Sequence, residues 1–80
     1  MKPPILFLCT GNYYRSRFAE LYFNWLAAER GLAVRADSRG FRPTDENLGP
    51  IYHVTVETLQ RLGVVVDPDH RMPIAVTEDD

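Results

Sequence analysis

The 80-residue sequence predicts an α/β fold with a parallel sheet and flanking helices. Three observations carry this expectation. A continuous apolar run, Ile5-Leu6-Phe7-Leu8-Cys9, has the character of a strand buried on both faces. A helical period follows it directly, with Phe18, Leu21, Tyr22, Trp25 and Leu26 falling on one stripe. The order strand, loop, helix then repeats once, and that alternation is what βα units produce.

The elements follow in order. The first strand is the apolar run, and Thr10-Gly11-Asn12 after it is turn chemistry. The first helix begins near Ser16, its aromatic stripe of Phe18, Tyr22 and Trp25 is expected in the core, and Gly31 stands where a C-terminal cap belongs. Residues 32–37, between Gly31 and Gly40, are predicted as the second strand. Residues 41–49 hold Pro43, Asn47 and Gly49 and are predicted as a surface loop. Pro50 suits the first turn of a second helix, Ile51, Val54, Leu59 and Leu62 share a face, and Gly63 closes it. The tail ends in Glu78, Asp79 and Asp80, expected to be a solvated terminus.

Length and composition bound the function. Eighty residues make a single domain, residues 1–80, close to the size at which one core barely suffices. One cysteine excludes an internal disulfide and a cysteine-rich metal site. No metal and no cofactor are expected. The longest apolar run is far shorter than the ~20 residues needed to span a bilayer, and no secretory leader pattern opens the chain, so a cytoplasmic setting is expected. The net charge of −2 hides an asymmetry: seven basic against three acidic residues up to position 42, then two against eight. The basic residues form no run, which leaves nucleic-acid and membrane partners without support. Arg35, Arg39 and Arg42 are expected on a solvated face.

The informative stretch is Cys9-Thr10-Gly11-Asn12-Tyr13-Tyr14-Arg15-Ser16. It lies beyond the carboxyl end of a strand, where α/β sheets place ligands. It runs into a helix N-terminus, whose free N–H groups and dipole favour an anion. A loop with Gly11 and Asn12 can curl into a nest of N–H donors of phosphate size. The same field should depress the Cys9 pKa. Arg15 can close back as a bidentate oxyanion clamp, and Ser16 can donate to the sulfur.

These residues resemble the low molecular weight protein tyrosine phosphatases. The likeness rests on cysteine, five residues, arginine and serine, with Gly11-Asn12 inside the loop, straight after an apolar strand. It continues through Phe18-Ala19-Glu20, Asp37-Ser38, Gly49-Pro50, Gly63, His70-Arg71 and Thr77-Glu78-Asp79, so it covers almost the whole chain. The resemblance implies the phosphotyrosine phosphatase I-like sheet with flavodoxin-like order, here incomplete. It implies that Cys9 attacks phosphorus to form a phosphocysteine, that Arg15 holds the equatorial oxygens and that Ser16 stabilises the thiolate. Thr10, Gly11, Asn12, Tyr13, Tyr14 and Arg15 would form the phosphate loop. Asn12 would brace it, with Ser38 and His70 bonded to that asparagine, and Tyr13 would line the pocket mouth against an aryl phosphate. The implied substrates are phosphotyrosine proteins or small aryl phosphates, with phosphate or sulfate fitting the loop.

The chain departs from the family pattern in three places. Arg17 stands where proline is usual, and Tyr14 where a second, protective cysteine is common, so Cys9 would be open to over-oxidation. The family's general acid belongs to an Asp–Pro pair far beyond the second helix. Asp67-Pro68 has that composition in the wrong segment and is expected to be a turn. The residues therefore correspond to the N-terminal half of a longer fold, a truncated member. Besides an enzyme, they leave open a phosphate- or phosphopeptide-binding module, and an arsenate reductase for which a single cysteine is a poor fit. With the family's third strand absent, one edge of the first strand should be covered by a second copy of the chain, by a complementing chain, or by residues 74–76 of the tail.

Overall fold

The computed structural model describes residues 5–44, 46–47, 51–66 and 71–80. Four elements follow one another: β1 (Ile5–Cys9), α1 (Arg15–Glu29), β2 (Ala36–Gly40) and α2 (His53–Arg61). β1 and β2 pair in parallel, in register from Ile5 with Ala36 to Cys9 with Gly40. The end of the apolar strand is thereby level with the end of β2, and both point at the loop that enters α1. Among the described residues, no helix is long and apolar enough to cross a membrane.

β2 begins four residues later than the sequence pattern predicts, at 36 rather than 32. The cause lies on α1. Asn24 spends both ends of its amide on Ala36, donating to its carbonyl at 3.0 Å and accepting from its N–H at 2.8 Å. The buried positions of β2 are Ala36, Ser38 and Gly40, with Asp37 and Arg39 between them half-buried. Small residues let α1 and the loop approach closely, but they carry no hydrophobic alternation for a sequence reading to find.

α1 also packs differently from the prediction. Phe18, Tyr22 and Trp25 form a continuous aromatic stripe, with centroids 5.8 Å and 6.1 Å apart, yet the stripe is only half-buried. The helix meets the sheet through Glu20, Phe23 and Asn24. Glu20 accepts from the Ser38 hydroxyl, Asn24 holds Ala36, and Phe23 packs edge-on to Phe7 of β1. Polar groups on the strand had to be matched where they became buried, and Glu20 and Asn24, one turn apart, match them.

Both helices end on glycines in the left-handed region, Gly31 at φ 66° and Gly63 at φ 86°. Each end has the paired Schellman bonds: Leu32 N–H to Ala27 and Gly31 N–H to Ala28 on α1, Val64 N–H to Leu59 and Gly63 N–H to Gln60 on α2. Leu59 and Val64, brought together by the second motif, belong to the small apolar core with Ala27, Ala36 and Ile51. The predicted helix start at Pro50 lies outside the described residues; the helix itself runs from His53.

The tail docks on the far side of the sheet. The Gly40 N–H donates to the Ile74 carbonyl at 2.8 Å, and the Val76 N–H donates to the Gly40 carbonyl at 2.9 Å. Phe41 N–H reaches back to the Cys9 carbonyl, so the polar groups of Gly40 itself face away from β1. Residues 74–76 therefore cover the outer edge of β2, correcting the expectation that they would cover β1. Parallel pairing takes them there because a carbonyl and an N–H of Gly40 stand ready. β1 is paired on its β2 side alone among the described residues, and Leu8 on it is 43% exposed.

Candidate active site

The loop from Cys9 to Arg15 is held by its own asparagine. Asn12 is fully buried and adopts φ 51°, a left-handed geometry that asparagine tolerates better than most residues. Its amide is saturated. Nδ2 donates to Ser16 Oγ and to Ser38 Oγ, each at 2.8 Å. Oδ1 accepts from Arg71 at 2.9 Å and from the Ile74 N–H at 3.0 Å. One side chain thus ties the loop to α1, to β2 and to the tail, and four bonds fix which end of the amide is which.

That orientation sets the direction of the next bond. Ser16 Oγ accepts from Asn12, so its own hydrogen is free for Cys9 Sγ, 3.0 Å away. Backbone N–H groups of Ser16, Asn12 and Tyr13 also point at the sulfur. Burial pushes the Cys9 thiol up. The Ser16 hydroxyl and those three N–H groups outweigh burial and hold the thiol below its ordinary value. Donors gathered round one sulfur favour the thiolate, which is the nucleophilic form.

The N-terminus of α1 adds to this field. Tyr14 is its N-cap and makes no side-chain cap, so the first N–H groups of the helix are left for the loop. Arg15 begins the helix, is exposed, and makes no hydrogen bond or ion pair among the described residues. Thr10 and Gly11 lie on the rim. The Thr10 carbonyl takes the Arg42 N–H, and Asn47 comes close to Gly11. β2 touches the loop from below at Gly40, where a Cβ would stand 2.8 Å from Asn12 N and Thr10 O and 2.9 Å from Gly11 C. Only a residue without a side chain lets strand and loop meet this closely.

An aromatic wall stands beside the loop. Tyr52, the N-cap of α2, has its ring 5.7 Å from Tyr13 and 5.6 Å from Tyr14, and its N–H bonds the Tyr13 carbonyl. An open groove of about 240 Å³ lies between Tyr14, Arg15, Phe18 and Thr58. Aromatic faces next to an arginine suit a planar aryl group. Among the described residues, no group of three or more His, Cys, Asp or Glu side chains could hold a metal ion.

The family model for low molecular weight phosphotyrosine protein phosphatase matches residues 4–76. The chain belongs to this family. The low molecular weight protein-tyrosine-phosphatase YfkJ of Bacillus subtilis is 41% identical over 66 residues, which is 79% of this chain and 41% of that protein. The crystal structure of YfkJ covers all of this chain with a TM-score of 0.79 and 36% identity. A phosphatase of the same family from T. tengcongensis gives 0.80 and 34% over 95% of the chain. The chain spans half or less of the length of these phosphatases, so the parallel pair with its helices is one part of a larger phosphatase fold.

Of the residues that the sequence singled out, the structure brings Cys9, Asn12, Ser16 and Ser38 into one bonded group. His70 and the Asp67-Pro68 pair lie outside the described residues. Sequence reasoning missed Arg71 as a support of Asn12, whose Oδ1 it bonds. It also missed Tyr52, for which no local signal exists. Arg17 is 2% exposed, so the departure from proline is a buried charge. Arg39 is not on a purely solvated face either. It pairs with Asp37 at 2.7 Å and Asp80 at 3.3 Å, which also ties down the acidic terminus.

Proposed function

We propose that the chain hydrolyses phosphotyrosine or aryl phosphates through a phosphocysteine. The observation that carries this reading is the directed chain from Asn12 through Ser16 to the Cys9 sulfur. Cys9 thiolate attacks phosphorus, the bond from phosphorus to the aryl oxygen breaks, and the phenolate leaves. Water then attacks the phosphocysteine, releasing inorganic phosphate and restoring the thiolate. The N–H groups of the loop and the unengaged Arg15 would take the negative oxygens of the transferring group, while Tyr13 and the wall it forms with Tyr52 would hold the ring.

In this reading the leaving oxygen departs without a protein acid to protonate it. A good leaving group such as p-nitrophenolate needs little help, whereas general acid catalysis is worth ~10²–10⁴-fold for poorer ones. The expected pattern is turnover of p-nitrophenyl phosphate with a steep loss towards alkyl phosphates. Equal rates for the wild type and Cys9→Ser would end the proposal. The second reading, an oxyanion-binding module, rests on the same loop and differs in one readout. It gives phosphate affinity that disappears in Arg15→Ala, with no burst of p-nitrophenolate.

A further inference from the structure

The bonds that fix Asn12 lead to a half-buried charge cluster behind the loop. Arg71 donates through one nitrogen to Asn12 Oδ1 at 2.9 Å and to the Met72 carbonyl at 3.0 Å. Its other nitrogen reaches Glu20 Oε1 and Asp37 Oδ1, both at 3.1 Å, and Ser38 at the carbonyl and the hydroxyl, at 2.8 and 3.0 Å. Arg17, from α1, holds the Arg71 backbone carbonyl at 2.9 Å and lies 3.5 Å from Glu20. Among the described residues, the charged groups facing the Arg71 guanidinium are therefore Arg17 and Glu20 from α1, and Asp37 from β2 with Arg39 beside it. The fork of an arginine can serve acceptors in several directions at once, which a lysine cannot.

We propose that Arg71 is a positioning residue for the Cys9 site, holding the Asn12 amide in the orientation that makes Ser16 a donor to the sulfur. This rests on the phosphatase reading for its purpose, but not for its geometry. The Asn12 carbonyl end is fixed by Arg71 and by Ile74, its neighbour in the same docked segment. Without the guanidinium that end loses a charged donor, and Glu20 and Asp37 lose the cation between them. The amide can then turn. Once a carbonyl oxygen faces Ser16, the serine hydrogen goes to Asn12 instead of the sulfur. The thiolate loses its side-chain donor, and the thiol becomes a weaker acid. Arg71 acts through Ser16, and this gives its effect a signature that general loss of stability does not have.

Cys9 is the single cysteine, so its alkylation by iodoacetamide reports the site without any turnover. The full chain is alkylated across a pH series as wild type, Ser16→Ala, Arg71→Met, Arg71→Lys and the Ser16→Ala/Arg71→Met double variant, with circular dichroism on each. Ser16→Ala and Arg71→Met should each move the inflection upward by about one pH unit, tenfold less thiolate below it. The double variant should sit where Ser16→Ala sits. Arg71→Lys, keeping the charge without the fork, should fall between wild type and Arg71→Met. An unshifted inflection in folded Arg71→Met, or additive shifts in the double variant, overturns the proposal. If Arg71→Met does not fold, a wild-type inflection in Arg71→Lys overturns it. A shifted inflection in a chain whose wild type hydrolyses no aryl phosphate refutes the phosphatase reading and leaves the positioning role standing.

Discussion

Adding one methyl group at Gly40 tests the whole arrangement of loop and sheet. Gly40 ends β2, and a Cβ there would meet three backbone atoms of the loop at 2.8, 2.8 and 2.9 Å. Ordinary contacts begin near 3.4 Å, so the loop or the strand must give by about 0.6 Å. Nothing flexible can absorb it. The neighbours are Asn12 N, Thr10 O and Gly11 C, and Asn12 is anchored by four side-chain bonds. Overpacking of this kind costs ~1–3 kcal/mol. In a domain of this size each kcal/mol moves Tm by about 4–8 °C. Gly40→Ala should therefore melt some 4–24 °C lower on the combined ranges. The displacement falls on the N–H groups that point at Cys9. A misplacement of 1 Å can cost ~10²-fold in rate, so roughly tenfold in aryl phosphate turnover is expected for this smaller shift. The assays are thermal unfolding by circular dichroism and p-nitrophenyl phosphate kinetics on the same samples. Gly63→Ala is the control. Its Cβ would meet nothing within 4 Å, so it carries only the left-handed strain of ~1–2 kcal/mol and should leave the loop untouched. A Gly40→Ala protein with wild-type Tm and wild-type turnover would refute the close-approach argument.

Further outcomes follow from the same bonds. Asn12→Asp keeps an acceptor for Arg71 but removes both donors and adds a negative charge near the sulfur; the Cys9 alkylation inflection should rise. Asp37 is pushed up by burial, but the Ser38 N–H, Arg39 and Arg71 outweigh this and hold its carboxyl below the usual range. A depressed acid contributes stability above its unfolded value of ~3.9 and loses it as pH falls through the folded value. Stability measured by urea titration should thus drop below about pH 4 in the wild type, and less steeply in Asp37→Asn. Asn24→Ala removes both bonds to Ala36 and leaves a backbone N–H and carbonyl unmatched, a loss of ~1–3 kcal/mol per buried group in urea unfolding. The side of β1 that pairs with no strand among the described residues should promote self-association that light scattering detects, and Leu8→Lys should reduce it, because charge on an edge opposes strand pairing.

The fold was legible where local chemistry and tertiary demand agree. The apolar run ending at Cys9 is β1, and both expected glycine stops end helices by the predicted mechanism. Legibility failed where small or polar residues do the packing. β2 buries Ala36, Ser38 and Gly40, which carry no hydrophobic pattern. α1 meets the strand through Glu20 and Asn24, so its aromatic stripe was a misleading guide to the core.

The sequence alone determined the loop: a cysteine at a strand end, then glycine, asparagine, arginine and serine before a helix. Spacing along one chain fixes which N–H groups can curl round the sulfur, and that is local geometry. The tertiary structure decided what holds the loop. Asn12 finds Ser38 at a separation of 26 residues and Arg71 at 59. Nothing in a linear pattern singles out Arg71 for this place. That choice is made by two carboxylates and an amide oxygen converging from α1, β2 and the loop, where a charged fork satisfies all three at once.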